Sequence, residues 1–406
     1  MSGGARVLVL GAGVAGVASA YFLARQGHQV IMVDQASEPG AGTSHANGGQ
    51  LSYSYTDAFA QPAMLKKLPG LLLGRDPSVV MSLSPSLIRW GLAFVSQCTA
   101  GRSGTNSRAL LELALRSAEL LGGINREAQL DYSHATAGKM VLLRTDAEVQ
   151  GAQPGIDRKT AAGCEVRLLN RQQAEAIEPT LAAMPEPYTA AIYAPGDEVA
   201  DAGKFCRELS EWLQTRGSLE LKLGTRVDGL LRRNGRVTGA KLGSEELEAD
   251  AVVVCLGGAS ASVVAPSDIP LPIYPVRGYS LTLPPGPRSP RVSLTDVKHK
   301  IVFSRLGDRV RIAGFTDFLG NSESRIRRRV ADLTNTAWWL APEAADYAQE
   351  DHQPWSGVRP MTPDSRPRVG ATRTPGLFVN TGHGALGWTL ACATGQDVAR
   401  AVSMDT

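Results

Sequence analysis

The 406-residue sequence is poor in cysteine, nearly balanced in charge and free of long apolar runs, and each shortage removes a class of protein. Its five cysteines (Cys98, Cys164, Cys206, Cys255 and Cys392) are odd in number, widely spread and without CxxC spacing, which argues against a disulfide framework and against a zinc site. A reducing compartment suits them best. The 42 basic residues face 39 acidic ones, and the resulting +3 is too small a field to nominate nucleic acid as a partner. Any charged ligand must be gripped locally. No run of roughly 18 apolar residues occurs, and Val7–Leu10 follows Met1 without a basic leader or signal core. The expectation is a cytoplasmic chain that does not span a membrane. What is present is ample apolar material, 43% of residues, in a length that allows two to four units at about 100–200 residues each.

The first forty residues carry the clearest signal. Val7 to Leu10 reads as a short buried strand, Gly11-Ala12-Gly13-Val14-Ala15-Gly16 as a turn, and Ala18 to Ala24 as a helix. A second apolar run, Val30 to Val33, ends in Asp34. Strand, GxGxxG turn, helix, strand and acid form the dinucleotide-binding fingerprint. Gly11 permits the tight turn, Gly13 lets backbone approach a pyrophosphate, and Gly16 lets helix and strand pack closely. The helix N-terminus offers free N–H groups to phosphates, and Asp34 is placed to accept from ribose hydroxyls.

A simple nicotinamide dehydrogenase would continue with further βα units, and this chain does not. A loop of small residues follows, Gly40 to Gln50, then helical patterns around 61–73, 85–98 and 106–125. Rossmann-type strands return only near Leu219–Leu223 and Glu248–Leu256. A nucleotide fold split by long insertions favours FAD over NAD. Near the C-terminus Gly376–Asn380 reads as a strand, Thr381-Gly382-His383-Gly384 as a turn, and Ala385 onward as a helix with Gly387, Ala391 and Gly395 four apart. A second glycine-rich helix N-terminus there suits the electron-rich edge of a reduced flavin.

Five segments together resemble the D-amino-acid dehydrogenase small-subunit family, within the D-amino-acid oxidase, glycine oxidase and sarcosine oxidase superfamily. They are 9–20, Thr43–Gln50, Tyr274–Ser280, Gly357–Asp364 and Asn380–Thr389. The resemblance runs over nearly the whole length. It implies an α/β fold: a discontinuous glutathione-reductase-type FAD domain (1–58, 196–268 and 355–406) and a substrate domain with a large mixed β-sheet and helices (59–195 and 269–354). It implies FAD contacts at Gly11, Gly13, Val14, Gly16, Asp34, Gln35, Thr43, Ser44, Asn47, Gly48, Gln50, Val227 and Gly257. A second group comprises Gly382, His383, Gly384, Leu386, Gly387 and Trp388. No metal is expected.

By the same resemblance Arg359, in Gly-x-Arg-Pro, anchors the substrate carboxylate, a role suited to a planar, permanently charged fork. Tyr274, Tyr279 and Tyr55 are the further catalytic candidates, with Tyr53 and Tyr55 read as lid residues and His45 and His383 as cofactor or loop contacts. The implied reaction removes the Cα hydrogen of a D-amino acid as hydride to flavin, giving a 2-oxo acid and ammonia, with electrons passing to a quinone or another non-oxygen acceptor. An oxygen-using glycine- or sarcosine-type amine oxidase, a D-hydroxyproline dehydrogenase and a structural flavin-binding subunit are the alternatives. Lys300–Ser304 lacks the tyrosine that the oxidases often present there, which brings the chain closer to the dehydrogenases. The apolar stretch Pro62–Val95 reads either as a peripheral contact with the inner membrane that receives quinone or as buried helices of the substrate domain. Arg325–Arg329 reads as the solvated face of a helix.

Overall fold

The computed structural model describes residues 4–267, 269–319, 325–349 and 354–406. The apolar strands Arg6–Leu10, Gln29–Val33 and Ala251–Val254 pair in parallel with almost every side chain buried, as strands covered on both faces must be. With Leu219–Lys222, Leu377–Thr381 and an antiparallel edge strand, Arg368–Ala371, they form a six-stranded sheet. The first helix (Val14–Arg25) and the last (Gly387–Asp405) pack together against it. Gly395 makes this possible: a Cβ there would stand 2.8 Å from the Ala18 carbonyl carbon and 2.9 Å from the Ser19 nitrogen.

The second layer is an eight-stranded mixed sheet, ordered Trp355–Met361, Tyr274–Leu283, Arg309–Asp317, Ile301–Leu306, Ser293–Asp296, Lys139–Leu143, Ala190–Ala194 and Arg167–Asn170. One face packs against the helix Ile326–Leu340 through Tyr279, Leu281, Phe303, Ile312 and Leu333. The other faces the nucleotide fold, where Ser280 donates to the Ala46 carbonyl at 2.6 Å and Arg311 to that of Asn47 at 2.9 Å. A small antiparallel meander spans Gly229–Arg233, Arg236–Leu242 and Glu245–Glu248.

Two expected boundaries shift. The strand Trp355–Met361 pairs along its length with Tyr274–Leu283, so it belongs to the eight-stranded sheet, not to the FAD segment expected from 355. The helix Ala100–Ala128, expected with the substrate domain, buries Leu110, Ala114, Leu121 and Ile124 in the core of the first and last helices. The apolar stripe of a 29-residue helix has to be covered, and these two helices provide the surface. The run Arg325–Arg329 is solvated only in part: Arg325, Arg327 and Arg328 are exposed, whereas Arg329 is buried.

Gly395→Val should lower unfolding stability by about 1–3 kcal/mol, since backbone of the first helix cannot yield. Gly123→Ala, at a helical glycine with open space around it, should raise it by about 0.5–1 kcal/mol. Urea unfolding followed by circular dichroism checks both.

Candidate active site

A cavity of about 2120 Å³ runs between the two layers. That is well beyond the roughly 300–1,000 Å³ of an ordinary small-molecule site and suits a dinucleotide with a substrate beside it. The glycine turn lies on its wall. Gly11 adopts φ +106°, and a Cβ there would stand 2.7 Å from the Cys255 carbonyl oxygen. A Cβ at Gly16 would lie 1.8 Å from the Gly11 carbonyl oxygen, so this glycine serves helix–turn packing and does not line the cavity. Ser44 Oγ accepts from the Val14 N–H at 3.1 Å and so marks the first turn of the helix as an anion position. Asp34 lies beside it, accepting from Ala12 N–H at 2.7 Å and Ala36 N–H at 2.9 Å. The carboxylate therefore holds the turn as well as facing the nucleotide cleft.

On the same cavity Gly384 takes φ +59° before the last helix, whose N-cap residue, Leu386, supplies no capping side chain. Among the expected cofactor residues, Gly11, Gly13, Val14, Asp34, Gln35, Thr43, Ser44, Asn47, Gly48, Gln50, Val227, Gly257, His383, Gly384, Leu386, Gly387 and Trp388 all line this one cavity. Gly382 does not: it makes the turn at φ +79° behind the wall, where a Cβ would press on Thr362. His383 is fully enclosed, bonded to Thr394 Oγ1 at 3.0 Å and pushed by burial down to about 4, so it is uncharged at neutral pH. His45 is exposed and lies off the cavity. Two uncapped or lightly capped helix N-termini facing one long cleft, with glycines where a side chain would intrude, fit FAD.

Arg359 projects from Trp355–Met361 onto the cavity face. Directly opposed residues of an antiparallel pair share a face, and Val276 opposes Arg359. The side chain arches over the neighbouring strand at Gly278, where any Cβ would stand 2.4 Å from Nη2 and 2.5 Å from Cζ. It ends by donating through Nη1 to the Phe315 carbonyl at 2.9 Å. Phe315 presents that carbonyl from a left-handed backbone, φ +60°, where the strand pairing is irregular. Burial pushes the guanidinium down from its ordinary value while the Asp317 charge opposes. Among the described residues no carboxylate pairs with it.

Two of the tyrosines turn their rings elsewhere. Tyr279 touches the cavity wall, but it opposes Ser356, so its ring lies on the reverse face, where its hydroxyl donates to Asp317 at 2.8 Å. Tyr274 does not line the cavity; it packs against Phe318 and Trp90 in an aromatic cluster that also holds Val276 and Met361. Alternation along one strand explains the first correction, and an aromatic partner set invisible in sequence explains the second. Tyr53 is buried with its hydroxyl on Glu198 at 2.8 Å, so it is core and not lid. Tyr55 does line the cavity.

Sequence reasoning missed four residues. Gly278, Phe315 and the buried pair Asp317–Arg329 form the platform under Arg359. Arg329 donates to both Asp317 oxygens at 2.8 Å, and Asp317 also accepts from the Val80 N–H at 3.0 Å. With Asp317 neutralised by Arg329, it does not draw Arg359 into a pair. The one legible signal was the strand pattern Arg277-Gly278-Tyr279, a glycine between two large residues where a neighbour must approach closely.

A family model described as FAD dependent oxidoreductase matches residues 6–401. A protein named D-amino acid dehydrogenase 2 from Ralstonia nicotianae is 39% identical over 397 residues, covering 95% of this chain and 93% of that protein. A D-amino acid dehydrogenase from Paramagnetospirillum magneticum is 37% identical over 407 residues, covering 98% of this chain and 95% of the relative. In fold, the chain is similar to glycine oxidase from Geobacillus kaustophilus, with TM-score 0.76 and 22% identity over 99% of this chain and 96% of that one. A glycine-turn cleft that fits FAD, a family match over almost every residue and full-length relatives above the level of chance resemblance agree: this chain belongs to the FAD-dependent oxidoreductases of the D-amino-acid oxidase (DAO) family.

Proposed function

We propose that the chain is an FAD-dependent D-amino-acid dehydrogenase in which Arg359 binds the substrate carboxylate and a quinone takes the electrons. The overall reaction converts a D-amino acid and water to a 2-oxo acid and ammonia, with two electrons and two protons leaving to the acceptor. The observation that carries the anchor is a half-buried guanidinium with no ion-pair partner among the described residues, held flat over Gly278 with only the Phe315 carbonyl on it. A charge left uncompensated in a cleft is completed by an anionic ligand, and a fork of N–H donors favours a carboxylate.

FAD, when bound, supplies the two-electron acceptor for the Cα hydrogen. The protein's own part is orientation. Arg359 fixes the carboxylate, and the aromatic cluster of Trp90, Phe94 and Phe318 with Met361 walls the adjoining space with apolar surface. His383, neutral and bonded to Thr394, offers no charged base. The work is positional, and it rests on proximity more than on proton transfer.

The acceptor reading draws on the cavity mouth. The helices Pro62–Leu72 and Pro85–Gln97 and the residues flanking them leave Leu72, Leu73, Leu83, Ile88 and Leu92 more than half exposed, and Lys66, Lys67 and Arg89 of the same helices are exposed too. Five large apolar side chains in the open, near a rim of basic ones, suit the interface of an anionic bilayer. Leu72, Leu83, Ile88 and Leu92 also line the cavity, so a membrane-borne quinone would enter there. No helix among the described residues is long and apolar enough to cross a membrane.

Arg359→Ala should keep its flavin and lose kcat/KM for D-amino acids by roughly 30- to 4,000-fold, the 2–5 kcal/mol typical of truncating one partner of a buried charge pair. Gly278→Ala should fold, because only the end of a flexible side chain must yield, and should weaken binding of benzoate by about tenfold or more. Near-normal turnover by Arg359→Ala, measured anaerobically with a dye acceptor, would remove the anchor. In a flotation assay the holoenzyme should rise with anionic liposomes and Leu72→Asp/Leu92→Asp should not; reduction of a soluble quinone should outpace oxygen consumption. Equal sedimentation of both proteins, or oxygen as the faster acceptor, contradicts the quinone reading.

A further inference from the structure

A second buried cation lines the same cavity and has no part in the reading above. Lys139, at the start of the strand Lys139–Leu143, is 4% exposed. Its Nζ donates to Gln50 Oε1 at 2.7 Å and to Ser52 Oγ at 2.8 Å, and it stands 4.8 Å from the centre of the Tyr55 ring. All of its described partners are neutral. Lys159, by contrast, pairs with Asp57 at 2.6 Å and stands 5.4 Å from the centre of the same ring. Asp197 is close enough to be felt but gives its two oxygens to the Ser54 N–H and hydroxyl, each at 3.0 Å, and burial raises it to about 6. An ammonium of this kind is expensive to bury, and the third of its N–H donors has no protein acceptor among the described residues.

The chain's own course places this amine. Ser44 stands at the N-terminus of the first helix, where the phosphates go, and Gln50 lies six residues on, at most about 20 Å along an extended chain. The Ser52 N–H then donates at 3.1 Å to Thr389 Oγ1, in the first turn of the last helix. Lys139 thus sits one hydrogen-bonded residue away from the uncapped N-terminus of the last helix. Adding a hydride, two electrons and one proton, to FAD leaves one negative charge, spread over the N1–C2=O side of the ring.

We infer that Lys139 and the N-terminus of the last helix together form the anion site for this reduced edge of FAD, so that Lys139 raises the flavin's reduction potential. The inference rests on FAD as the cofactor and not on the identity of the amino-acid substrate. Gln50 and Ser52 aim the amine, and the carbonyl and hydroxyl they offer leave its charge unneutralised. Burial pushes Lys139 down to about 8, with Asp197 opposing and Lys159 adding, so the amine carries its proton at neutral pH.

The test uses the FAD-loaded chain without any amino acid. Sulfite adds its sulfur lone pair to N5 and leaves the same negative charge on the ring. Lys139→Gln, which keeps a hydrogen-bond donor and removes the charge, should bind sulfite at least tenfold more weakly. Its two-electron midpoint potential should fall by about 30 mV or more, the equivalent of tenfold for a two-electron couple. Lys139→Arg should stay within threefold of the parent in both. Loss of FAD from the Gln variant alone also supports the charge. Unchanged potential and sulfite affinity in Lys139→Gln, or equal losses in Gln and Arg variants, would make Lys139 a packing residue and overturn the inference. Because no substrate is present, failure here leaves the Arg359 reading untouched, and failure of Arg359→Ala leaves this one standing.

Discussion

Positive charge buried without a negative partner is the constraint around which the cavity is built. Arg359 rests on a backbone carbonyl, Lys139 on an amide and a hydroxyl, and the first and last helices point their N-termini inward. Each is costly in an empty cleft and favourable once an anion arrives, so the cost of orienting donors toward an anion is met in the fold itself. The remaining buried charges are arranged the opposite way. Asp317 and Arg329 neutralise each other with three groups bonded to the carboxylate, and that closed pair keeps Asp317 from capturing the Arg359 guanidinium.

Glycine placement does the complementary steric work. Gly278 allows an arginine to lie across a strand, Gly395 allows two helices to touch, and Gly16 allows helix and turn to close. For Gly278 and Gly395 the atom that would collide with a Cβ comes from a distant part of the sequence, so the constraint is tertiary, whereas for Gly16 it comes from the turn five residues before it. The helical layer shows the same interdependence: the 29-residue helix Ala100–Ala128 is buried against two helices from opposite ends of the chain.

Legibility in the sequence followed how local the cause was. The glycine turn, Asp34 and the parallel strands depend on contiguous patterns, and the structure places them as the patterns indicate. The family motifs pointed to Arg359 and the Gly384–Gly387 turn, and these residues line the cavity. The ring of Tyr279 points away because a strand alternates faces, and which face looks at the cofactor depends on the pairing of Trp355–Met361 with Tyr274–Leu283, whereas Tyr274 is drawn into the aromatic set of Trp90 and Phe318. Arg329 was hidden in a basic run whose other members are solvated, and its burial comes from the partner Asp317 twelve residues upstream. Lys139 carries no sequence signal at all: a lysine at a strand start is ordinarily an exposed edge residue.

The claim that an uncompensated guanidinium over Gly278 receives the substrate's anionic head is tested most directly by a crystal structure of the FAD-loaded chain with benzoate. The account predicts the benzoate carboxylate on the free N–H groups of Arg359, with Nη1 still on the Phe315 carbonyl and the flavin ring alongside. A carboxylate bound elsewhere in the cavity, or an Arg359 side chain turned away from Gly278 toward bulk water, would contradict it.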